Sequence, residues 1–273
     1  MLSYLLPLLL GSLFIAFFVG KPYWREYKRA EAKRLPFTKQ WRKIIQQRMP
    51  YFKKMPAHLQ LQLKQHVQVF LSEKRFIGYH GILITDEIRV TIAAQACLLL
   101  LNRNTDYYPK LSTILVYPRA FVKQHSSASS DGVHFSENVT LAGESWGFGK
   151  VVLSWQDTLD GAYDPNDGHN VVIHEFAHQL DQENGAANGA PILSKGQRYD
   201  TWSNVLSLEF EKLKRQAALG QPSLFDYYGA TNPAEFFAVA SEVFFEKSEA
   251  LKYEHPALYA QLFRYYGVDP ASW

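Results

Sequence analysis

A chain of 273 residues with 47% hydrophobic and 15% aromatic side chains can bury a sizeable core, and its 20% charged residues are ordinary for a globular protein. The formal net charge of +3 is small for this length and partly sits in one cluster near the amino terminus, so no direct nucleic-acid binding is expected. The single cysteine, Cys97, excludes an intramolecular disulfide and any CxxC zinc knuckle; its apolar setting makes it a structural thiol rather than a nucleophile.

At the amino terminus, Leu2 to Val19 carry no charge, and at 1.5 Å rise per residue they just reach across a bilayer core of ~30 Å. Lys21, Arg25, Lys28, Arg29, Lys33 and Arg34 follow. A cleaved signal peptide would carry its positive charge before the apolar run, so the order predicts a retained anchor. The positive-inside rule keeps the basic cluster and everything after it in the cytoplasm. The expected division is a transmembrane helix over 1–20, a basic juxtamembrane linker over 21–34 and one catalytic domain over 35–273. A secreted chain and an interfacial helix are the rival readings of the same stretch.

Beyond the linker, Lys39 to Gln47 and Leu59 to Glu73 are amphipathic and predict helices, interrupted by Met49-Pro50 and Met55-Pro56. Phe76 to Thr85 predicts a turn and a short strand, and Asp86 is expected to cap an apolar helix to Leu101. Strands are expected at Thr113 to Tyr117, Val133 to Leu141 and Lys150 to Trp155, with Gly143 to Gly149 as a Gly-rich turn. The stretch Val151 to Ser154 has two readings: an edge that could pair with an extended peptide, or an interior strand. Helices follow at about Asn170 to Gln182, Tyr199 to Ala217, Asn232 to Glu246 and Pro256 to Tyr266, so the carboxy-terminal half is mostly helical.

The helix at Asn170 to Gln182 carries His174-Glu175-Phe176-Ala177-His178. Positions i and i+4 share a helix face, so both imidazoles can point a ring nitrogen at one ion. Glu175 flanks that face and can act as general base toward a water at an open coordination position. HExxH strings also arise by accident, but Val171, Val172, Ile173, Phe176, Ala177 and Leu180 surround this one, and a buried His pair needs a partner. His169 and His134 are read as ordinary surface or core histidines.

A third protein ligand separates the zinc peptidase classes. The extended metzincin string requires Gly where this chain has Asp181, and His or Asp where it has Asn184. The remaining source is a carboxylate on a second helix. In Asn232-Pro233-Ala234-Glu235, Asn232 is a natural N-cap and Pro233 fits the first helical position. Glu235 is then either the ligand or half of a capping box, and Glu242, seven residues on and near the same face, competes with it. Local physics leaves both open. Asp181, one turn after His178, qualifies equally as an orienting carboxylate or as a cap.

The run Tyr227-Tyr228-Gly229-Ala230-Thr231-Asn232-Pro233-Ala234-Glu235-Phe236-Phe237-Ala238, taken with His174-Glu175-Phe176-Ala177-His178, resembles the Mlc titration factor A family of bacterial zinc peptidases. The resemblance runs from about Leu35 to the carboxy terminus; the two site strings alone also resemble the catalytic domain of anthrax lethal factor. It implies an α+β, zincin-like metallopeptidase domain with a small sheet, one Zn²⁺ per chain held by His174, His178 and Glu235, and Tyr228 facing the reacting carbonyl. A phenol there can stabilise an oxyanion, worth roughly 3 kcal/mol in the transition state.

The function these readings imply is zinc-dependent peptide hydrolysis of a peptide or protein substrate, aminopeptidase-like and linked to regulation of sugar uptake. The alternative from another class is a regulatory protein that sequesters an Mlc-like transcriptional repressor. The family's best-known members are soluble and cytoplasmic, which sets a soluble cytoplasmic protein against the membrane-anchored one.

Overall fold

The computed structural model describes residues 20–119, 121–128, 134–141, 143–146 and 149–273. Its helices are α1 (20–34), α2 (Lys39–Arg48), α3 (Ala57–Glu73), α4 (Asp86–Leu98), α5 (Trp155–Tyr163), α6 (Val171–Asp181), α7 (Tyr199–Leu219), α8 (Pro233–Glu246), α9 (Ser248–Glu254) and α10 (Pro256–Tyr266). Its strands are β1 (Arg75–Gly78), β2 (Thr113–Tyr117), β3 (Phe121–Ala128), β4 (His134–Leu141), β5 (Gly143–Trp146) and β6 (Lys150–Ser154).

Five of these helices start where the chain offers a side-chain acceptor for the unpaired N–H groups of a first turn. Thr38 caps α2, Ser154 caps α5, and Asn170 and Asn232 cap the two helices that build the site. Thr85, one residue before the expected Asp86, caps α4 by accepting from Ile88 N–H at 3.3 Å.

The architecture is mixed helical around a four-stranded sheet of order β1-β2-β6-β5. β1, β2 and β6 run parallel, while β5 is antiparallel to β6 and forms one edge; β3 and β4 pair separately as an antiparallel hairpin. β6 lies between β2 and β5, so Val151 to Ser154 is an interior strand rather than a peptide-accepting edge. Val151 and Leu153 are fully buried, as an interior position requires. The edge beside β6 is β5, in the stretch expected to be a turn, and it runs beside α6.

The expected transmembrane helix is a second correction. Among the described residues no helix is long and apolar enough to cross a membrane. The apolar stretch Leu2 to Val19, on which that expectation rested, lies outside the described residues. The basic stretch taken as a linker is helical, and it carries Lys21, Arg25, Lys28 and Arg29. Arg29 is buried, with Nη1 donating to Asp106 Oδ1 at 2.6 Å and Nε bonded to Glu73, which ties α1 to the end of α3.

α6 crosses the core beneath the sheet edge. Phe176 points away from the His pair and packs at 4.8 Å between ring centroids from Tyr108 and 5.7 Å from Phe70. A fully buried Phe contributes about 1.5–3 kcal/mol by area alone, so this contact fixes the rotation of α6 and with it the face that His174 and His178 present. On the other side α8 packs along α6, with Phe236, Phe237 and Phe244 buried behind it.

Candidate metal centre

Asn170 sets the start of α6: its Oδ1 accepts from Val172 and Ile173 N–H, each at 3.1 Å. Asn232 does the same for α8, accepting from Ala234 N–H at 2.9 Å and Glu235 N–H at 3.0 Å. With both helix starts pinned, the carboxylate of Glu235 is turned onto the His pair. Its Oε2 lies 3.0 Å from His174 Nε2 and 3.1 Å from His178 Nε2, and the two nitrogens are 3.2 Å apart.

These are the residues that, among those described, bring His, Cys, Asp or Glu ligand atoms together as a metal site would. A tetrahedral ion bound at about 2.0–2.2 Å spaces its donor atoms roughly 3.3–3.6 Å apart. The observed triangle is slightly tighter, and its donor set of two imidazoles and one carboxylate suits a divalent ion. The group fits.

Glu242 occupies a different place. Its Oε1 accepts from His174 Nδ1 at 2.8 Å, behind the ring, and its Oε2 accepts from Asn170 N–H at 2.5 Å. A carboxylate cannot donate, so the bond fixes the hydrogen on Nδ1 and leaves Nε2 to face the centre. Asp181 holds the loop that follows α6: its Oδ2 accepts from Asn188 N–H at 2.8 Å and Gly189 N–H at 2.7 Å.

Charge follows geometry. Burial opposes a charged His174, yet the hydrogen bonds to Glu235 and Glu242 override it and lift the imidazole to about 10, so a metal ion binding there would displace the Nε2 proton. Burial also works against an ionised Glu235, but His174 and His178 hold its carboxyl down at about 2. Glu235 is therefore a carboxylate across the neutral range.

Glu175 is 3% exposed and Tyr228 is 55% exposed. The Tyr228 ring lies 5.8 Å from that of His174, at the end of a loop held by Asp226, whose Oδ1 accepts Tyr228 N–H at 2.6 Å. Burial, then the charges of Glu235 and Glu175, push its phenol up to about 12, so it remains a donor throughout the working range. Two cavities meet at His174, Glu175 and Tyr228. One, of about 640 Å³, is lined by Asp157, Asp160, Asp167 and Asp226; the other, of about 500 Å³, runs past Asn188 and Pro233. A larger cavity of about 1160 Å³ lies against α1 and contains none of these groups.

The sequence-expected residues His174, Glu175, His178, Tyr228 and Glu235 thus come together. His169 stands at the rim, 3.9 Å from Asp226; His134 begins β4; Cys97 is buried, and burial pushes its thiol well up. Asn170 and Glu246 were missed. Asn170 Nδ2 donates to Glu246 Oε1 at 2.9 Å. The signal was present in α8, where Glu235, Glu242 and Glu246 recur at spacings of seven and four in an otherwise apolar helix.

Comparison with known proteins gives a consistent result. The family model described as "Glucose-regulated metallo-peptidase M90" matches residues 23–267. An uncharacterized protein of Synechocystis sp. is 40% identical over 266 residues, covering 97% of this chain and 96% of that protein. The Mlc titration factor A of Klebsiella pneumoniae subsp. pneumoniae is 33% identical over 79% of this chain and 83% of its own length. That of Salmonella typhi is 31% identical, over 82% and 84% respectively.

Proposed function

The chain belongs to the glucose-regulated metallo-peptidase M90 family, and from that premise we propose that it is a zinc-dependent peptidase acting through His174, His178, Glu235, Glu175 and Tyr228. The observation that carries this reading is the convergence of His174 Nε2, His178 Nε2 and Glu235 Oε2 within 3.0–3.2 Å of one another.

Those three residues would hold the ion. When bound, a divalent metal supplies Lewis acidity, which makes water a nucleophile near neutral pH and polarises a carbonyl. Glu175, beside the triangle and opening on both cavities, takes the proton of the attacking water and returns it to the leaving amine. Tyr228 donates its O–H to the oxyanion of the tetrahedral intermediate. The substrate backbone lies across the junction of the two cavities, and release of a single amino-terminal residue is the proposed outcome.

Glu175→Gln tests the assignment. Zinc content should match wild type while hydrolysis of alanyl reporters falls by at least ~10²-fold; full activity in that variant would remove Glu175 from the mechanism.

A second reading has its own support: several relatives carry the name Mlc titration factor A. On that reading the chain binds an Mlc-like repressor, and its peptidase activity serves the regulation of sugar uptake or is secondary to binding. Capture of the purified repressor by Glu175→Gln, with no cleavage of peptides by wild type, would favour binding as the function.

A further inference from the structure

We propose that Glu246, which bonds Asn170 rather than any of the three metal-site residues, is a positioning residue for His174, acting through Asn170 and Glu242. The inference rests on the metal-site reading above.

Three glutamate side chains on one face of α8 meet successive layers of α6. Glu235 reaches the ligand nitrogens. Glu242 spends both oxygens, one on His174 Nδ1 and one on Asn170 N–H, so its plane is set by two donors at once. Moving either donor moves the acceptor of the other. The orientation of the His174 ring therefore depends on where Asn170 holds its backbone N–H.

Asn170 is in turn fully committed. Its Oδ1 caps α6, and its Nδ2 donates to Glu246 Oε1 at 2.9 Å and to Gly161 O at 3.4 Å. The second of these is at the limit of a hydrogen bond, so Glu246 supplies the firm anchor for the amide. α5 closes behind it: a Cβ at Gly161 would stand 2.9 Å from His169 O and 3.1 Å from Asn170 Cα. Asn170 is 2% exposed and Glu246 6%, so the bond between them is shielded from solvent. Loss of Glu246 leaves the buried amide with the weak bond alone and frees Asn170 to pivot, carrying its N–H away from Glu242.

A buried Glu could instead merely stabilise the fold. The test uses the full chain as wild type, Glu246→Gln, Glu246→Ala, Asn170→Ser and the Asn170→Ser/Glu246→Ala double variant. Zinc affinity is read by chelator competition, and coordination by the visible spectrum of the Co²⁺-substituted proteins. Gln keeps an acceptor for the Asn170 amide, so Glu246→Gln should bind zinc as wild type does. Glu246→Ala and Asn170→Ser, the latter keeping a helix cap, should each weaken zinc by roughly 10- to 100-fold and alter the Co²⁺ spectrum. Because both cut one chain of contacts, the double variant should be no worse than the weaker single.

Wild-type affinity and spectrum in Glu246→Ala, or additive losses in the double variant, would overturn the proposal. Should Glu246→Ala fail to fold, unchanged zinc affinity in Asn170→Ser overturns it equally. Absence of zinc binding by wild type would instead sink the metal-site reading itself, which keeps the two failures apart.

Discussion

Two carboxylates seven residues apart on α8 meet the same imidazole from opposite sides. Glu235 shares the Nε2 side of His174 with His178, and Glu242 holds Nδ1. Sequence could place both on one helix face, but which side of the ring each reaches depends on how α8 lies against α6, a tertiary fact that no local pattern carries. The His pair and Glu175 were legible because i and i+4 spacing is a property of one helix. Asp181 was ambiguous for the opposite reason: its partners, Asn188 and Gly189 N–H, belong to a loop whose path the sequence leaves open. Tyr228→Phe should lower kcat by about 10²–10³-fold with little change in KM, since the donor acts on charge that develops only in the transition state. Steady-state kinetics on a peptide reporter checks it. An unchanged kcat would make Tyr228 a packing residue.

The helices that carry the site owe their starts to two asparagines and their faces to phenylalanines. Asn170 and Asn232 each cap with two backbone bonds; Asn232 was visible as a cap before an apolar run, whereas Asn170 was legible only as the approximate start of its helix. Other elements were hidden. β5 lies in Gly143 to Gly149, where glycines signal a turn; its strand pairing comes from β6 next door rather than from its own propensity. α5 was also hidden, although Ser154 caps it and accepts Asp157 N–H at 3.2 Å, because the strand expected at Lys150 to Trp155 runs into its first turn. The loop after α6 makes an element-scale prediction. Gly189 has φ +76°, and a Cβ there would lie 2.5 Å from Pro233 O at the start of α8. Its N–H also answers Asp181, and its carbonyl accepts Trp202 Nε1 at 2.9 Å. Gly189→Ala should therefore destabilise the fold by more than ~1 kcal/mol and push α8 away from α6. Urea unfolding measures the loss, and wild-type stability would show that the loop can yield.

Across the whole molecule, the basic helix α1 is fastened to the domain through Arg29, Glu73 and Asp106, and no helix among the described residues suits a membrane span. A charge run in the sequence suggested a linker because Arg29 is indistinguishable from its neighbours until its carboxylate partners, 44 and 77 residues away, are brought to it. Stability should carry a pH signature from Glu246. Burial lifts its carboxyl from 4.5 to about 9 against the Asn170 hydrogen bond, with the charges of Glu242 and Asp167 adding to the rise. The native state then keeps a proton that the unfolded chain releases. Its stabilising contribution is complete below about pH 4.5 and is lost progressively as pH rises to about 9. Glu246→Gln, neutral in both states, should lose less stability than wild type between pH 5 and pH 8.5 in denaturant titrations. Parallel curves for the two proteins would contradict the lifted carboxyl.

The central claim, a zinc centre built from α6 and α8, is tested most directly by anomalous diffraction at the zinc edge from crystals of the zinc-loaded chain. The expected result is a single peak per chain within about 2.0–2.2 Å of His174 Nε2, His178 Nε2 and Glu235 Oε2, with Glu242 still on His174 Nδ1. A peak bound by Glu242 in place of Glu235, or no peak between the two helices, would contradict it.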